Sequence, residues 1–228
     1  MKRTLKIFSF AMAATLMASA CQQSTPSADG EQDTPQFYST ADEAVAKAKA
    51  DLLSILESDK NINLNIEGSA LRDAQPGKSI SYSVVDFNKL GGLDSLSDIK
   101  QIVKEVSSTI VPLVNQGNVV TIVEVSQGEK GWKVSGLGNA GLSRNINAVL
   151  AQPQNVGDAA IELYEVPNLR ANLYVVKTAD KELFYTDYNG YSIRESVNPS
   201  ELLTRLKSDA EAFIKNYGDK LKDGKLVE

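Results

Sequence analysis

The side chains that most often carry chemistry are scarce in this chain of 228 residues. It has no histidine and a single cysteine, Cys21, and its three methionines lie no later than Met17. Beyond Cys21 the chain therefore has no imidazole, thiol or thioether, the side chains on which zinc, copper and haem sites usually depend, and no His-assisted nucleophile. Carboxylates remain, but the calcium-loop pattern D-x-[DN]-x-[DN]-G does not occur. We predict neither catalytic nor metal-binding residues.

Aromatic residues near one predicted turn are the best candidates for a binding surface. Tyr185 and Tyr188 flank Asp187 just before Asn189-Gly190, a pair typical of tight hairpin turns. Such side chains contribute a large contact area in interfaces, but they are also the residues that sheets prefer for packing against helices. The candidate surface consists of Tyr185, Asp187, Tyr188, Trp132 and Tyr191.

The residues before Cys21 have the features of a secretory signal. Three basic residues at the start precede an apolar stretch from Ile7 to Met17, which is shorter than the roughly 20 residues that span a bilayer. The small residues Ala18, Ser19 and Ala20 follow. This order of basic, apolar and small residues predicts export and cleavage.

Residues 1–21 resemble the bacterial lipoprotein signal, or lipobox, in which small residues precede a cysteine that is acylated, as with palmitate, and becomes the mature N-terminus. The resemblance implies signal cleavage after Ala20 and lipidation of Cys21. The lipobox commonly has a large aliphatic residue where this chain has Ala18, so ordinary cleavage that leaves a free thiol stays open. Gln22 is not the Asp that retains lipoproteins at the inner membrane in enteric bacteria. The resemblance therefore implies a lipid-anchored protein of the cell envelope, at the outer membrane of a Gram-negative bacterium.

Four segments are expected along the chain. Residues 1–20 form the signal peptide, and residues 21–36 form a flexible tether too polar to bury an apolar core. Residues 37–138 form a first α+β half, and residues 139–228 form a second with a C-terminal helix. The net charge is −5, and an acidic chain has no electrostatic attraction for nucleic acid.

Capping residues and apolar periodicity predict four helices. The first begins after Thr40, and the second spans Leu96 to Val106. The third occupies residues 140 to 151, and the fourth runs from Pro199 to the residue before Gly218. Alternating and β-rich runs predict the strands. These runs are "INLNI", "SISYSVVDF", "TIVPLV", "VVTIVEVS", "GWKVSG", "AAIELYEV", "RANLYVVKT", "ELFYTDY" and "YSIRES".

Two strand-to-helix junctions, Gly131 to Asn139 and Gly190 to Asn198, align at a constant offset. Unless this similarity is due to chance, it indicates two pseudo-repeats. We therefore expect an α+β fold with two antiparallel four-stranded sheets packed on helices, cystatin-like in general build. The cystatin inhibitory motif Q-x-V-x-G is missed by "QGNVV" and by "QGEKG", so the likeness says nothing of function.

A non-enzymatic binding module is the function that these features favour. The lipid would hold the body at a membrane, where it binds an envelope protein or polymer. A small-molecule or peptide carrier with a pocket between sheet and helices is the first alternative, and a carboxylate-only enzyme is the second. We expect no cofactor, because the G-x-G-x-x-G spacing of Gly136, Gly138 and Gly141 follows an antiparallel meander and not a parallel βαβ unit. The oligomeric state is not specified.

Overall fold

One mixed sheet contains all the strands that the computed structural model describes, within residues 36–58, 64–92, 98–153 and 159–222. The strands are β1 (Gln75–Pro76), β2 (Ile80–Val85), β3 (Val103–Asn115), β4 (Asn118–Gly128), β5 (Gly131–Leu137), β6 (Ala160–Val166), β7 (Ala171–Lys177) and β8 (Glu182–Tyr185). The helices are α1 (Ala41–Ser58), α2 (Gly68–Asp73), α3 (Phe87–Gly92), α4 (Ala140–Leu150) and α5 (Pro199–Lys222). Among these helices, none combines the length and apolar character that crossing a membrane requires.

The sheet consists of two antiparallel units joined by one parallel pair. Strands β2 to β5 form a meander, β6 to β8 form a second, and β2 pairs with β6 in parallel, with Tyr82 opposite Leu163. The short β1 pairs with β3. The α+β class is confirmed. The expectation of two separate antiparallel sheets is wrong, because the parallel pairing of β2 with β6 joins the two units into one mixed sheet.

The second antiparallel unit has three strands where four were expected. The run "YSIRES" is not a strand, and only Val197, just after it, forms a bridge to Phe184. The predicted hairpin at Asn189-Gly190 is also absent from this described segment, where Tyr188–Gly190 forms a 3-10 turn. Asn189 has φ 52° and Gly190 has φ 86°, so the left-handed preference of this pair serves a turn towards α5.

Helices cover the two faces of the sheet unequally. On one face, Leu52 of α1 belongs to a buried cluster with Val123, and Leu202 of α5 belongs to another with Val175. On the other face, α4 supplies Ile146 to a cluster that includes Leu163. Strand side chains alternate between the faces, which explains how one sheet packs against both sets.

The predicted starts of α1, α4 and α5 are confirmed by their caps. Thr40 Oγ1 accepts from the amide of Glu43 at 3.1 Å, and Asn139 Oδ1 accepts from Leu142 at 2.9 Å. Asn198 Oδ1 accepts from the amides of Ser200 and Glu201 at 2.9 and 3.2 Å. These bonds satisfy amides that have no partner inside the helix.

Two helix predictions are wrong in their extent. Gly218 lies inside α5 and not past its end. Within the described part of Leu96–Val106, Ile99–Ile102 forms a single 3-10 turn, and β3 begins at Val103. The Asp98 side chain caps only this turn, and pairing of Val103 with Val85 of β2 takes the chain into the sheet.

Pro112 lies in an interior strand, although proline favours edges and bulges. Its carbonyl accepts from the amide of Gly77 at 2.7 Å, so its missing N–H faces the irregular connection between β1 and β2. No ladder bond is lost there, and a register shift follows directly at Leu113/Val114. Of the two places that proline favours in a sheet, an irregularity of register thus lies next to Pro112, whereas an edge position is not observed.

The predicted N-terminal features lie outside the residues that the structure describes. These are the signal peptide, its cleavage at Ala20, the lipidation of Cys21 and the tether as far as residue 35. They stay predictions, as do the boundaries of the two halves.

A partly buried ion pair links β6 and β7 and makes stability depend on pH. The Glu162 carboxylate accepts from Lys177 and, at 2.6 Å, from the Tyr164 hydroxyl. Burial raises the pKa of Glu162, but these hydrogen bonds and the charge of Lys177 outweigh it, so the pKa lies below its ordinary value. We expect Glu162→Gln to lower the free energy of unfolding at pH 7 by about 1–2 kcal/mol.

The sign of this effect follows from the lowered pKa. The stabilisation is complete above the pKa of an unfolded glutamate, about 4.3, and is lost as the pH falls through the lower folded value. Urea unfolding from pH 7 to pH 3 should show the two proteins converging in acid. Glu129→Gln, at the exposed β4–β5 turn, is the control. An equal difference between wild type and Glu162→Gln at both ends of the range would contradict the explanation.

Candidate functional site

A row of polar side chains crosses the sheet face that α4 covers. Along each contributing strand, the polar residue lies two positions from an apolar residue beneath or beside α4, so both point to the same face. The pairs are Tyr82 with Ile80, Ser108 with Ile110, Glu124 with Ile122, Glu165 with Leu163, and Asn172 with Tyr174.

The length of α4 explains why this row is not buried. A helix of 11 residues is about 16 Å long. The seven strands that lie side by side span about 29 Å. One short helix therefore leaves part of the face uncovered, and a cleft of about 460 Å³ lies there, beside the first turn of α4.

Hydrogen bonds hold the acidic side chains of the cleft in place. The Tyr82 hydroxyl donates to Glu165, and the Ser108 hydroxyl donates to Glu124 Oε1 at 2.6 Å. Burial raises the pKa of Tyr82, and the bond to Glu165 raises it further. Tyr82 is therefore a neutral donor at physiological pH. From α4, the side-chain amide nitrogen of Asn145 donates to Asp187 Oδ2 at 3.1 Å, which brings a third carboxylate to the cleft.

The cleft has a negative charge. Glu124, Glu165 and Asp187 line it, and among its described lining residues there is no lysine or arginine. The positive end of the α4 dipole lies beside them and offsets part of this charge. Within the described chain, acidic residues form no cluster that fits a metal ion. A cationic or hydrogen-bond-donating ligand is the chemistry that the arrangement fits.

Two glycines of the β5–α4 connection shape one wall of the cleft. A Cβ at Gly136 would lie 2.9 Å from Glu124 Oε2, so any larger residue would displace this carboxylate. Gly138 has φ 65°, a conformation that favours glycine, and it turns the chain into α4. The G-x-G-x-x-G spacing of Gly136, Gly138 and Gly141 thus belongs to the turn from β5 into α4 beside the cleft, and β5 is paired antiparallel to β4.

The structure does not bring the five predicted surface residues together. Asp187 alone reaches the cleft. Tyr185 is fully buried, so its expected place on a binding surface is wrong; it packs with Tyr174, its cross-strand partner, under α4. Tyr188 is half-buried, and its hydroxyl donates to Asp209 of α5 at 2.7 Å.

Trp132 and Tyr191 lie elsewhere. Trp132 is on β5, at the sheet edge opposite β8, where its backbone pairs with that of Tyr38. Tyr191 lines an open groove of about 700 Å³ beside the start of α5, with Glu201 and Arg205. The packing interpretation of the aromatics therefore holds for Tyr185, and no common surface unites the remaining four.

No motif in the sequence singled out Tyr82, Glu124, Glu165 or Asn145 as site residues. For Tyr82, Glu124 and Glu165 a signal exists in the sequence, because each is a polar or amphipathic residue within an apolar alternating run. Glu124 is the only charged residue of "VVTIVEVS". Their convergence depends on strand order, and no local pattern contains that information.

Comparison with protein-family models, curated proteins and solved structures finds no match for this chain. The cystatin-like build and the lipoprotein resemblance therefore stay predictions.

Proposed function

We propose that the mature protein is a lipid-anchored, non-enzymatic binding module of the cell envelope and that its cleft binds a basic segment of an envelope protein. The single observation that supports this most is that three carboxylates, those of Glu124, Glu165 and Asp187, line one cleft. Each of these carboxylates keeps an acceptor position for a ligand beyond its present bond, since an ionised carboxylate has about four lone pairs.

The half-buried setting makes this charge effective. Charges interact more strongly when protein replaces part of the surrounding water, and electrostatic complementarity determines both partner choice and association rate. Glu124 and Glu165 are both half-buried. Tyr82 lies between them on the polar row and lines the cleft, so its aromatic ring is within the site where a cation would bind. A cleft of about 460 Å³ is within the usual range for a ligand site.

The proposed anchor would place this cleft near its partners. A flexible tether of the length of residues 21–36 has an average span of about 20–25 Å. The body would therefore stay close to the membrane surface, at a high local concentration relative to other envelope proteins. Recognition by the cleft can then be modest in intrinsic affinity.

Neutralising two of the carboxylates tests the cleft. We expect the double variant Glu124→Gln/Glu165→Gln to bind an acetylated trilysine amide about tenfold more weakly or worse, because two charge-assisted bonds are lost. Isothermal titration calorimetry at low ionic strength measures the affinity. Raising the salt concentration should weaken binding to the wild type much more than to the variant.

Glu129→Gln is the control, since it removes one carboxylate charge from an exposed turn outside the cleft. It should bind trilysine like the wild type. Equal affinity of the wild type and the double variant, with both folded by circular dichroism, would refute the role of the cleft. Absence of any saturable trilysine binding to the wild type would refute the ligand class.

A small-molecule carrier is the second candidate, because the cleft lies between the sheet and α4. Lysine amide binding as tightly as trilysine would favour a small amine as the ligand. A carboxylate-only enzyme would use the same acids, and hydrolase turnover that disappears in the double variant would replace the binding proposal.

A further inference from the structure

Each carboxylate of the acidic cleft has one oxygen that already accepts a hydrogen bond from a neutral donor of this chain. The bonded oxygens are Oε1 of Glu124, Oε2 of Glu165 and Oδ2 of Asp187, and their donors are Ser108, Tyr82 and Asn145. Within the part of the chain that the structure describes, the second oxygen of each carboxylate has no partner. The cleft therefore offers one free oxygen from each acid.

These free oxygens are accessible to a ligand. All three acids line the cleft, and neither Glu124 Oε2 nor Glu165 Oε1 is a buried atom without a partner. Asp187 is an exposed residue. A cation in the cleft can therefore contact the free oxygens directly.

Gly136 keeps the space beside one free oxygen empty. A Cβ at this position would lie 2.9 Å from Glu124 Oε2 and 3.2 Å from the Glu124 Cβ. Gly136 does not have a positive φ, so its backbone conformation is open to other residues. The missing side chain therefore serves the Glu124 carboxylate and not the backbone.

The single free oxygen of each acid distinguishes between the two basic side chains. A guanidinium binds a carboxylate best as a fork, with two parallel N–H bonds to the two oxygens. In this cleft a fork would have to share one oxygen with an internal donor. An ammonium is a compact charge with three rotatable N–H donors, and it needs only one oxygen of a carboxylate.

We propose that the cleft recognises primary ammonium groups, so that lysine and not arginine is the basic residue of the segment that it binds. Each ammonium donates to a free carboxylate oxygen, while the internal donor hinders a fork at the second oxygen. This inference rests on the proposed function, because it specifies the ligand of the same cleft.

Three acetylated tripeptide amides of equal charge test the proposal: trilysine, triarginine and tri(trimethyllysine). In calorimetric titrations of the full chain at low ionic strength, trilysine should bind at least about threefold more tightly than triarginine. Trimethyllysine keeps its charge but has no N–H donor. Its peptide should therefore bind at least about threefold more weakly than trilysine, since it makes no hydrogen bond to the free oxygens.

Removing the internal donors should abolish the preference for lysine. Tyr82→Phe keeps the aromatic ring and releases Glu165 Oε2. Ser108→Ala releases Glu124 Oε1. The double variant should bind triarginine at least as tightly as trilysine, because a fork can then engage both oxygens. Tyr217→Phe, at an exposed position of α5 outside the cleft, is the control and should keep the wild-type preference.

A methyl group at Gly136 tests the free oxygen itself. Gly136→Ala should weaken trilysine binding at least about threefold, because the added Cβ displaces Glu124 Oε2. Gly128→Ala is the matched control, since a Cβ at Gly128 meets no atom within 4 Å. It should bind trilysine like the wild type.

The outcomes separate this inference from the proposed function. Equal binding of trilysine and triarginine to the wild type would overturn the preference for lysine and leave the cleft as a site for any basic segment. Equal binding of the trimethylated peptide would also overturn it, because charge alone would then suffice. So would an unchanged preference in the double variant, with its fold intact by circular dichroism. Absence of trilysine binding to the wild type would instead refute the proposed function.

Discussion

Replacing Leu202 by alanine is expected to lower the free energy of unfolding by about 2–5 kcal/mol, a large fraction of the stability of a typical domain. Leu202 lies on α5 and is fully buried in a cluster with Leu90, Val175 and Phe184. The truncation removes apolar atoms from the junction of α5, α3 and the sheet. The neighbouring helices have little room to shift and fill the resulting cavity, because α3 and α5 are already in close contact at Gly91.

Urea unfolding measures this effect, with the midpoint falling and the slope unchanged if the transition stays two-state. Leu150→Ala is the control of identical chemistry, since Leu150 is 36% exposed at the end of α4. It should cost about 1 kcal/mol or less. Equal losses in the two variants would mean that α5 does not pack on the sheet as described.

Local signals in the sequence were sufficient for the helices that have strong caps. Thr40, Asn139 and Asn198 each begin a helix where their side chains accept from the expected backbone amides. The helix expected over Leu96–Val106 rested on signals that were equally local, yet its described part forms only a 3-10 turn, because Val103 finds a partner in β2. Capping shows where a helix can begin, and tertiary pairing determines whether it continues.

The strands were mostly predicted, but their arrangement was not. Alternation indicates which residues share a face, and it separates Glu124 from Val123 correctly. It contains no information on strand order. The parallel pairing of β2 with β6 brings Tyr82 into hydrogen-bonding contact with Glu165 over a separation of 83 residues. A cleft made by such pairing could not be predicted from either segment alone.

The aromatic candidates failed for a related reason. Tyr185 lies two residues from an exposed aspartate, and its position near a turn suggested exposure. Burial of a strand residue depends on which face a helix covers, and α4 covers the face to which Tyr185 points. Asp187, beyond the end of β8, is free of that constraint and reaches the cleft through Asn145.

Replacing Cys21 by alanine is expected to abolish lipid incorporation and to release the protein from the membrane fraction. The proposed acyl attachment needs the cysteine sulfur, and no other cysteine is present in the chain. Metabolic labelling with radioactive palmitate in a bacterial host should mark the wild type and leave Cys21→Ala unlabelled. Gln22→Ala, at the adjacent position, is the control and should be labelled and retained like the wild type.

Fractionation measures the strength of the anchor, and the physics of acyl chains makes the expected difference large. One fatty chain binds a bilayer only marginally, with an association constant of about 10⁴ M⁻¹, whereas two or more hold a protein stably. The acyl chains of a diacylated Cys21 should therefore keep the wild type entirely with membranes. The acidic body has no charge attraction to anionic lipid, so Cys21→Ala should be released completely. If a maleimide reagent instead finds a free thiol at Cys21 in the exported wild type, ordinary cleavage after Ala20 has occurred. The cleft would then act in a protein released from the membrane, and its partner would have to be captured by intrinsic affinity alone, without the local concentration that a tether provides.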